Sequence, residues 1–509
     1  MALAPATEEV LAARPGAVQS GRSRVQNIVA LVGLGVAIDY ALLIVTRWRE
    51  ERGRGLDNRA AVLRAAGTAG SAVLFSGITV TVSLAALALT SVPFLRSIGL
   101  AAMLIPLISI AVSGTLLPVL LAAAGPALEW PRRKPARTVS PLWARIARLV
   151  VARPGWSAAA ALAVLAVLIA PVFSLNLGEP QAAATAATAP PAARAGLDAL
   201  TSAGIGPGVL RPAEIPLPAR AALPAPRHGI TLVAPAAWSR DGLRVADAWS
   251  PADPSSADGK AALRVIQAAA GAVPGARVGG SPAQDADFIT ALYGRNLLII
   301  AAAIVIVTFL LLARGLRSLW LPVKALLLNL ISLAAAFGVL TFVWQEGHGT
   351  AALFSSPATG AVTLWVPLAV FALLFGLSMD YEVFILTRIN EEYEQAGDVR
   401  QAVVRGISHT GRLVTSGALI LCLSFIALGG VPVTDVKILS TGLAAGIIID
   451  ATVIRGVLAP ALVALLGRAN WWLPRPAARL LRVTPLVARP HRAPPARQPH
   501  ARRGPGPAG

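Results

Sequence analysis

Nine stretches of this chain are apolar for about 20 residues each, long enough to cross a hydrocarbon layer roughly 30 Å thick as helices. They run approximately over 27–46, 72–92, 98–123, 157–175, 297–313, 321–343, 363–387, 413–430 and 438–466. Lipid offers no partner to a backbone N–H or C=O, so such segments are confined to helices that satisfy their own backbones. With 55% hydrophobic and 14% charged residues and a mean hydropathy of +0.67, the chain has more apolar surface than a soluble fold could cover. The fold class is a polytopic α-helical membrane protein. Residues 1–26 hold no apolar leader core, which leaves the first span as its own insertion signal. The lone cysteine, Cys422, lies inside an apolar run, so a disulfide or cysteine-based metal site within one chain is excluded.

A net charge of +20 could suggest nucleic acid, but the cations sit in short segments flanking the apolar runs, as membrane topology requires. Residues 47–71 carry six Arg, 124–156 six Arg and one Lys, 314–318 two Arg, 388–412 four Arg, and 468–509 nine Arg with no acid. These segments are expected in the cytoplasm and the cation-poor connections outside, with no nucleic-acid partner. The expected organisation follows. Residues 1–26 form a polar tail, 27–123 a first module of three spans, 124–156 a cytoplasmic linker and 157–175 one span. Residues 176–296 form an extracytoplasmic α/β domain, 297–466 a second membrane module of five spans, and 467–509 a basic Pro/Arg-rich cytoplasmic tail. This orientation exports Arg14, Arg22 and Arg24, against the charge rule.

The two modules repeat one another. GLGVAIDYALLIVTRWREE at 33–51 aligns with FGLSMDYEVFILTRINEE at 375–392, placing Asp39 on Asp380, Tyr40 on Tyr381 and Arg47 on Arg388, each 341 apart. After a one-residue gap Ser76-Gly77 falls on Ser416-Gly417, and further on Val92-Pro93 matches Val431-Pro432 and the Gly99 run matches that at Gly442. The copies keep the same order and orientation, so an axis along the membrane normal relates them and a site is expected at their interface. Three spans and an outward domain lie before or within the second copy but not the first. By this symmetry the chain is expected to lack the first half of its first repeat.

Asp39 and Asp380 each precede an Arg at a helix end by eight residues, or about 12 Å at 1.5 Å per residue. A carboxylate at that depth is costly unless protonated or paired, which suits loading and release of a proton. Tyr40 and Tyr381 can donate to these carboxylates, and each copy is expected to contact the other; the plainer reading is polar contacts that hold helices together. Glu382, opposite Ala41 in the repeat, is either a second titratable group or an interhelical hydrogen-bonding residue. Asp450 and Arg455, whose repeat partners are uncharged or apolar, form a fixed ion pair or a counter-charge that tunes Asp380. Lys324 reads as a snorkelling residue near a helix end. Gly33, Gly35, Gly376, Gly442 and Gly446 fit close helix approach. His409 in a connecting loop has no partner cluster, and no metal site is expected. Segments 48–66 and 390–406 read as amphipathic helices along the inner surface, and Trp471-Trp472 as an interfacial anchor.

The runs GLGVAIDYALLIVTRWREE, TAGSAVLFSGITV, GLSMDYEVFILTRINEEYEQ and GLAAGIIIDATVIRGVLAPALVALLGRANWWLP resemble the mycobacterial membrane protein large (MMPL) transporters of the resistance-nodulation-division (RND) superfamily. The likeness spans nearly all of 27–475 and is weaker over 176–296. It implies a pseudo-symmetric bundle that uses proton motive force, with no cofactor, to export lipids or other hydrophobic molecules across the cell membrane. It also implies Asp39, Tyr40, Asp380 and Tyr381 as proton-relay residues, with Glu382, Asp450 and Arg455 as auxiliary charges. The family's first three spans and first outward domain have no counterpart here, which implies an oligomer or a partner supplying that half. The other reading is a truncated, non-transporting scaffold or lipid-binding paralogue.

Overall fold

The computed structural model describes residues 15–90, 92–128, 140–223, 229–431 and 433–483. Among them eight helices are long and apolar enough to cross a membrane. Each coincides with an expected span, and the remaining expected span, 27–46, falls on the helix Pro15–Gly53. The repeat is visible in the packing. Pro15–Gly53, called the Asp39 helix below, lies against Asn58–Ala88 of its own copy and Val399–Leu428 of the other. Val366–Ala396, the Tyr381 helix, lies against Val399–Leu428 and crosses to Asn58–Ala88.

Small residues set these crossings, because backbones approach only where side chains do not intervene. A Cβ on Gly35 would touch Leu421 Cδ2 at 3.0 Å, and one on Gly376, 341 positions later, would touch the Val80 backbone at 3.3 Å. Ser83 Oγ adds a buried bond to the Ala372 carbonyl at 2.8 Å. The Tyr381 helix is the innermost of the eight, with 82% of its apolar window buried. Pro154–Ser174 is buried over only 17%, which leaves most of its side chains for lipid.

Segments 48–66 and 390–406 differ from expectation: neither is a separate surface helix. The Asp39 helix continues through Gly53 and the Tyr381 helix through Ala396, and the chain then turns directly into the next span. The Tyr381 helix has 31 residues, about 46 Å at 1.5 Å each, and so overruns the hydrocarbon. Ion pairs one turn apart hold the overhang: Arg47 to Glu51 at 2.8 Å, and Arg388 to Glu391 at 2.6 Å and Glu392 at 3.4 Å. Left-handed Gly55 (φ 93°) and Gly397 (φ 69°) make the turns. Asp57 and Asp398 cap the following helices, accepting from Ala60 N at 3.3 Å and Arg400 N at 3.0 Å. The stretch read as a linker also contributes a helix, Pro141–Ala152. Its buried Ala147, Val150 and Val151 share one face against Val399–Leu428.

Between Pro154–Ser174 and the next span lies a small antiparallel sheet: β1 (Ala213–Pro218), β2 (Thr231–Val233), β3 (Ser239–Arg240) and β4 (Leu243–Trp249). β4 is central, paired with the other three. Ile215 and Leu217 alternate inward on β1 and meet Leu263, Ile266 and Ala270 from one face of the helix Ala257–Gly271. Ser256 caps that helix, its hydroxyl accepting from Gly259 N at 3.0 Å.

The tightest crossing joins Pro154–Ser174 to Trp320–Gln345, where a Cβ on Gly338 would overlap the Leu168 carbonyl oxygen. Backbone cannot yield as a side chain does. Gly338→Ala is therefore expected to cost about 1–3 kcal/mol by overpacking, read as a lower melting temperature in detergent; an unchanged melting temperature would show that the crossing opens freely.

Candidate functional site

At the centre of the bundle the Tyr381 hydroxyl donates to Asp39 Oδ1 across the boundary between the copies. Both residues are enclosed, Asp39 3% and Tyr381 2% exposed. Two residues side by side on one helix point about 100° apart, so a tyrosine next to an aspartate turns toward the opposite helix rather than its own neighbour. Tyr40 is fully buried beside the same interface. The Tyr381 helix carries Asp380 next to Tyr381; the Asp380 side chain lies outside the described residues.

A third helix closes over the pair at Gly417. A Cβ there would overlap the Tyr381 hydroxyl and stand 2.7 Å from Asp39 Oδ1. Gly77, its counterpart in the first copy, lies 3.4 Å from the Tyr40 ring by the same construction. The sequence marked both glycines only as repeat matches.

Arg455 approaches from the last span. Its guanidinium stands over the Tyr381 ring, 4.7 Å from the centroid, a cation–π position. The same group forms an ion pair with Asp450 and donates to the Ser378 carbonyl at 2.5 Å. Arg455 is held by Asp450 in an ion pair and also faces the Tyr381 ring, while the expected counter-charge to Asp380 falls on a side chain outside the described residues.

Residues five apart on an α-helix point about 140° apart and cannot pair in this way. Here Asp450–Leu458 is π-helical, with i→i+5 bonds that bring Arg455 over Asp450. Pro460 follows just beyond this turn; it has no N–H to offer the Gly456 carbonyl four residues back.

Glu382, next to Tyr381, is 5% exposed, and its Oε1 has no hydrogen-bond partner. It lies in the field of Asp450, Arg455 and Lys324. Lys324 corrects expectation: rather than snorkelling, it is 6% exposed, its Nζ donating to Asn470 Oδ1 at 3.2 Å. Asn470 is fixed in turn through its amide to the Val463 and Gly467 carbonyls at 2.8 and 2.6 Å. The chain beyond the last span folds back and covers Lys324, which sequence depth alone does not reveal. Trp471 belongs to that covering, stacked on Tyr393 at 3.9 Å, so only Trp472, 54% exposed, fits the expected interfacial anchor. His409 lies within the helix Val399–Leu428 rather than in a loop. No cluster of metal-ligating side chains occurs among the described residues.

A bundle of two parallel three-helix copies with a carboxylate and a tyrosine joined across their interface defines a membrane protein of the RND architecture. The MMPL family signature matches residues 2–157 and 175–496, and the chain belongs to that family. It is 37% identical over 462 residues to a membrane protein of Streptomyces coelicolor, covering 89% of this chain and 64% of that protein. It is 35% identical to the mycolic acid-containing lipids exporter MmpL11 of Mycolicibacterium smegmatis, over 89% of this chain and 50% of that protein. The heme uptake protein MmpL11 of Mycobacterium tuberculosis is likewise 35% identical, over 90% of this chain and 49% of its own length. The chain thus spans from about half to under two thirds of the length of these relatives. A crystal structure of SecDF shares the fold, with a TM-score of 0.54 at 15% identity over 87% of this chain and 54% of that one.

The Tyr381–Asp39 bond is testable by double-mutant cycle. Tyr381→Phe and Gly417→Ala are each expected to lower stability by roughly 1–3 kcal/mol, and their combination by clearly less than the sum, because both break one contact. Thermal unfolding of the four proteins checks this; additive losses would mean that Gly417 acts elsewhere.

Proposed function

We propose that this chain is a proton-motive-force-driven transporter of the RND type that exports lipids or other hydrophobic molecules across the cell membrane. The observation that carries the reading is the buried bond from Tyr381 to Asp39, which joins the two copies inside the membrane. An ionised Asp39 only accepts hydrogen bonds, whereas a protonated one also donates, so a single proton changes what the two copies offer each other. Arg455 over Tyr381, anchored by Asp450, places a fixed positive charge beside the pair. Asp39 takes up a proton arriving from outside, the contact with Tyr381 rearranges, and the proton leaves toward the cytoplasm. Asp380 and Tyr40 are the equivalent residues of the other copy.

Glu382 suits the release side. It is adjacent to Tyr381, carries an unpartnered oxygen and faces Lys324, which is held near the end of its span by Asn470. The first copy has Ala41 at this position, so such a release group belongs to one copy only. The cation-rich ends of the spans, at Arg47 and Arg388, face the cytoplasm in this reading, and the α/β domain stands outside. The substrate class is supported by the lipid exporter among the relatives. The proton gradient serves as the driving force, with no bound cofactor.

Export of a fluorescent lipid from energised membrane vesicles tests the reading. Asp39→Asn and Asp380→Asn are expected to lower gradient-dependent transport at least about tenfold, or 1.4 kcal/mol, with Glu382→Gln intermediate. Full transport by the Asp variants would falsify the relay. Inserted wild-type protein with no transport above empty vesicles would leave the non-transporting scaffold as the better account.

A further inference from the structure

Where the chain leaves Pro154–Ser174, a single asparagine ties three parts of the molecule together. The Asn176 amide N–H donates to Gln345 Oε1 at 2.7 Å, at the end of the span Trp320–Gln345. Its carbonyl accepts from Val362 N at 2.8 Å, and its side-chain amide donates to the Ser255 and Gly360 carbonyls at 2.8 and 3.0 Å. Its Oδ1 is gripped by the Lys260 ammonium, which also reaches the Leu177 carbonyl at 2.5 Å. Ser255 and Lys260 belong to the α/β domain, while Gly360 and Val362 belong to the loop that runs into the Tyr381 helix at Val366.

That loop is held on every side. Gly178 N donates to the Val362 carbonyl and Gln181 N to that of Thr359, each at 3.0 Å, so residues 177–181 form a strap alongside it. The Tyr293 hydroxyl, at the start of the next span, donates to the Leu364 carbonyl at 2.7 Å. The Thr363 hydroxyl donates to Asp435 Oδ1 at 2.9 Å. A displacement of the Tyr381 helix along its axis is thus passed to this loop, and through Asn176 and Lys260 to the helix Ala257–Gly271. An apolar side chain at either position would make none of the side-chain bonds among these, and would leave only the backbone bonds of residues 176–181 to the loop.

We infer that Asn176, gripped by Lys260, is a positioning residue that transmits the protonation state of Asp39, by way of the Tyr381 helix, to the α/β domain. This rests on the reading of Asp39 as proton acceptor. Other charged groups surround the joint: the Arg211–Asp285 pair beside Lys260, and Glu179 on the strap, facing Asp435, Asp285 and Arg211. Burial first, then Asp435 and Asp285, pushes the Glu179 carboxyl up to about 7 despite Arg211. A change of pH would therefore also act at the joint, so the trigger is better supplied by substitution at constant pH.

The test is a double-mutant cycle on a distance. Spin labels are placed on Leu89→Cys, at the end of Asn58–Ala88, and Arg264→Cys, on an exposed turn of the domain helix, with Cys422→Ser, in lipid nanodiscs at one pH. Asp39→Asn is expected to shift the distance distribution measured by pulsed electron resonance. Lys260→Met, and independently Asn176→Ala, are expected to abolish that shift while leaving the Asp39 distribution in place, and Lys260→Arg to restore it. The inference is overturned if Asp39→Asn produces no shift, if the shift persists undiminished in Lys260→Met and Asn176→Ala, or if these variants merely broaden the distribution with Asp39 intact. No substrate or gradient enters the measurement, so failure of export in vesicles counts against the transport reading, and failure here against the joint.

Discussion

A carboxylate in the middle of a membrane must be answered by something, and in this protein the answer comes from the other half of the molecule. Asp39 is buried, and its partner is a tyrosine hydroxyl 342 positions away in sequence. The pairing constrains everything around it. The two copies must meet along these helices, a third helix must carry glycine at 417 to close over the bond, and the last span must bring Arg455 within reach of the ring. Glycine-lined crossings elsewhere serve the same end, since helices held at loose distance could not hold a bond of this kind.

The symmetry is kept where it concerns framework and dropped where it concerns charge. Arg47 with Glu51 matches Arg388 with Glu392, and the capping aspartates 57 and 398 recur at the same interval. By contrast Glu382 and the Asp450–Arg455 pair face uncharged counterparts in the first copy. Two copies of one framework therefore enclose a field of uneven charge.

The framework was legible because it is written in period and repeat. Apolar length gave the spans, the 341-residue interval gave the pairing of modules, and the Asp-Tyr dipeptides marked the interface. What escaped depended on contacts between distant segments or on departures from ideal helix. Lys324 reads as a helix-end cation until the chain around Asn470, some 146 residues later, is seen to cover it. The Asp450–Arg455 ion pair was among the expectations, but not the π-helical turn that permits it at a spacing of five residues. Segments 48–66 and 390–406 looked amphipathic because charged helix overhangs and surface helices share a pattern. The glycine turns at 55 and 397 distinguish them.

The long interval between Asp39 and Tyr381 also bears on how the molecule is made. At 5 to 20 residues per second, roughly 17 to 70 s separate the synthesis of the carboxylate from that of its hydroxyl partner. Throughout that interval the first helix carries an acid whose partner does not yet exist. Assembly of this bundle is therefore a matter of delayed pairing, in which a helix made late releases one made early from custody.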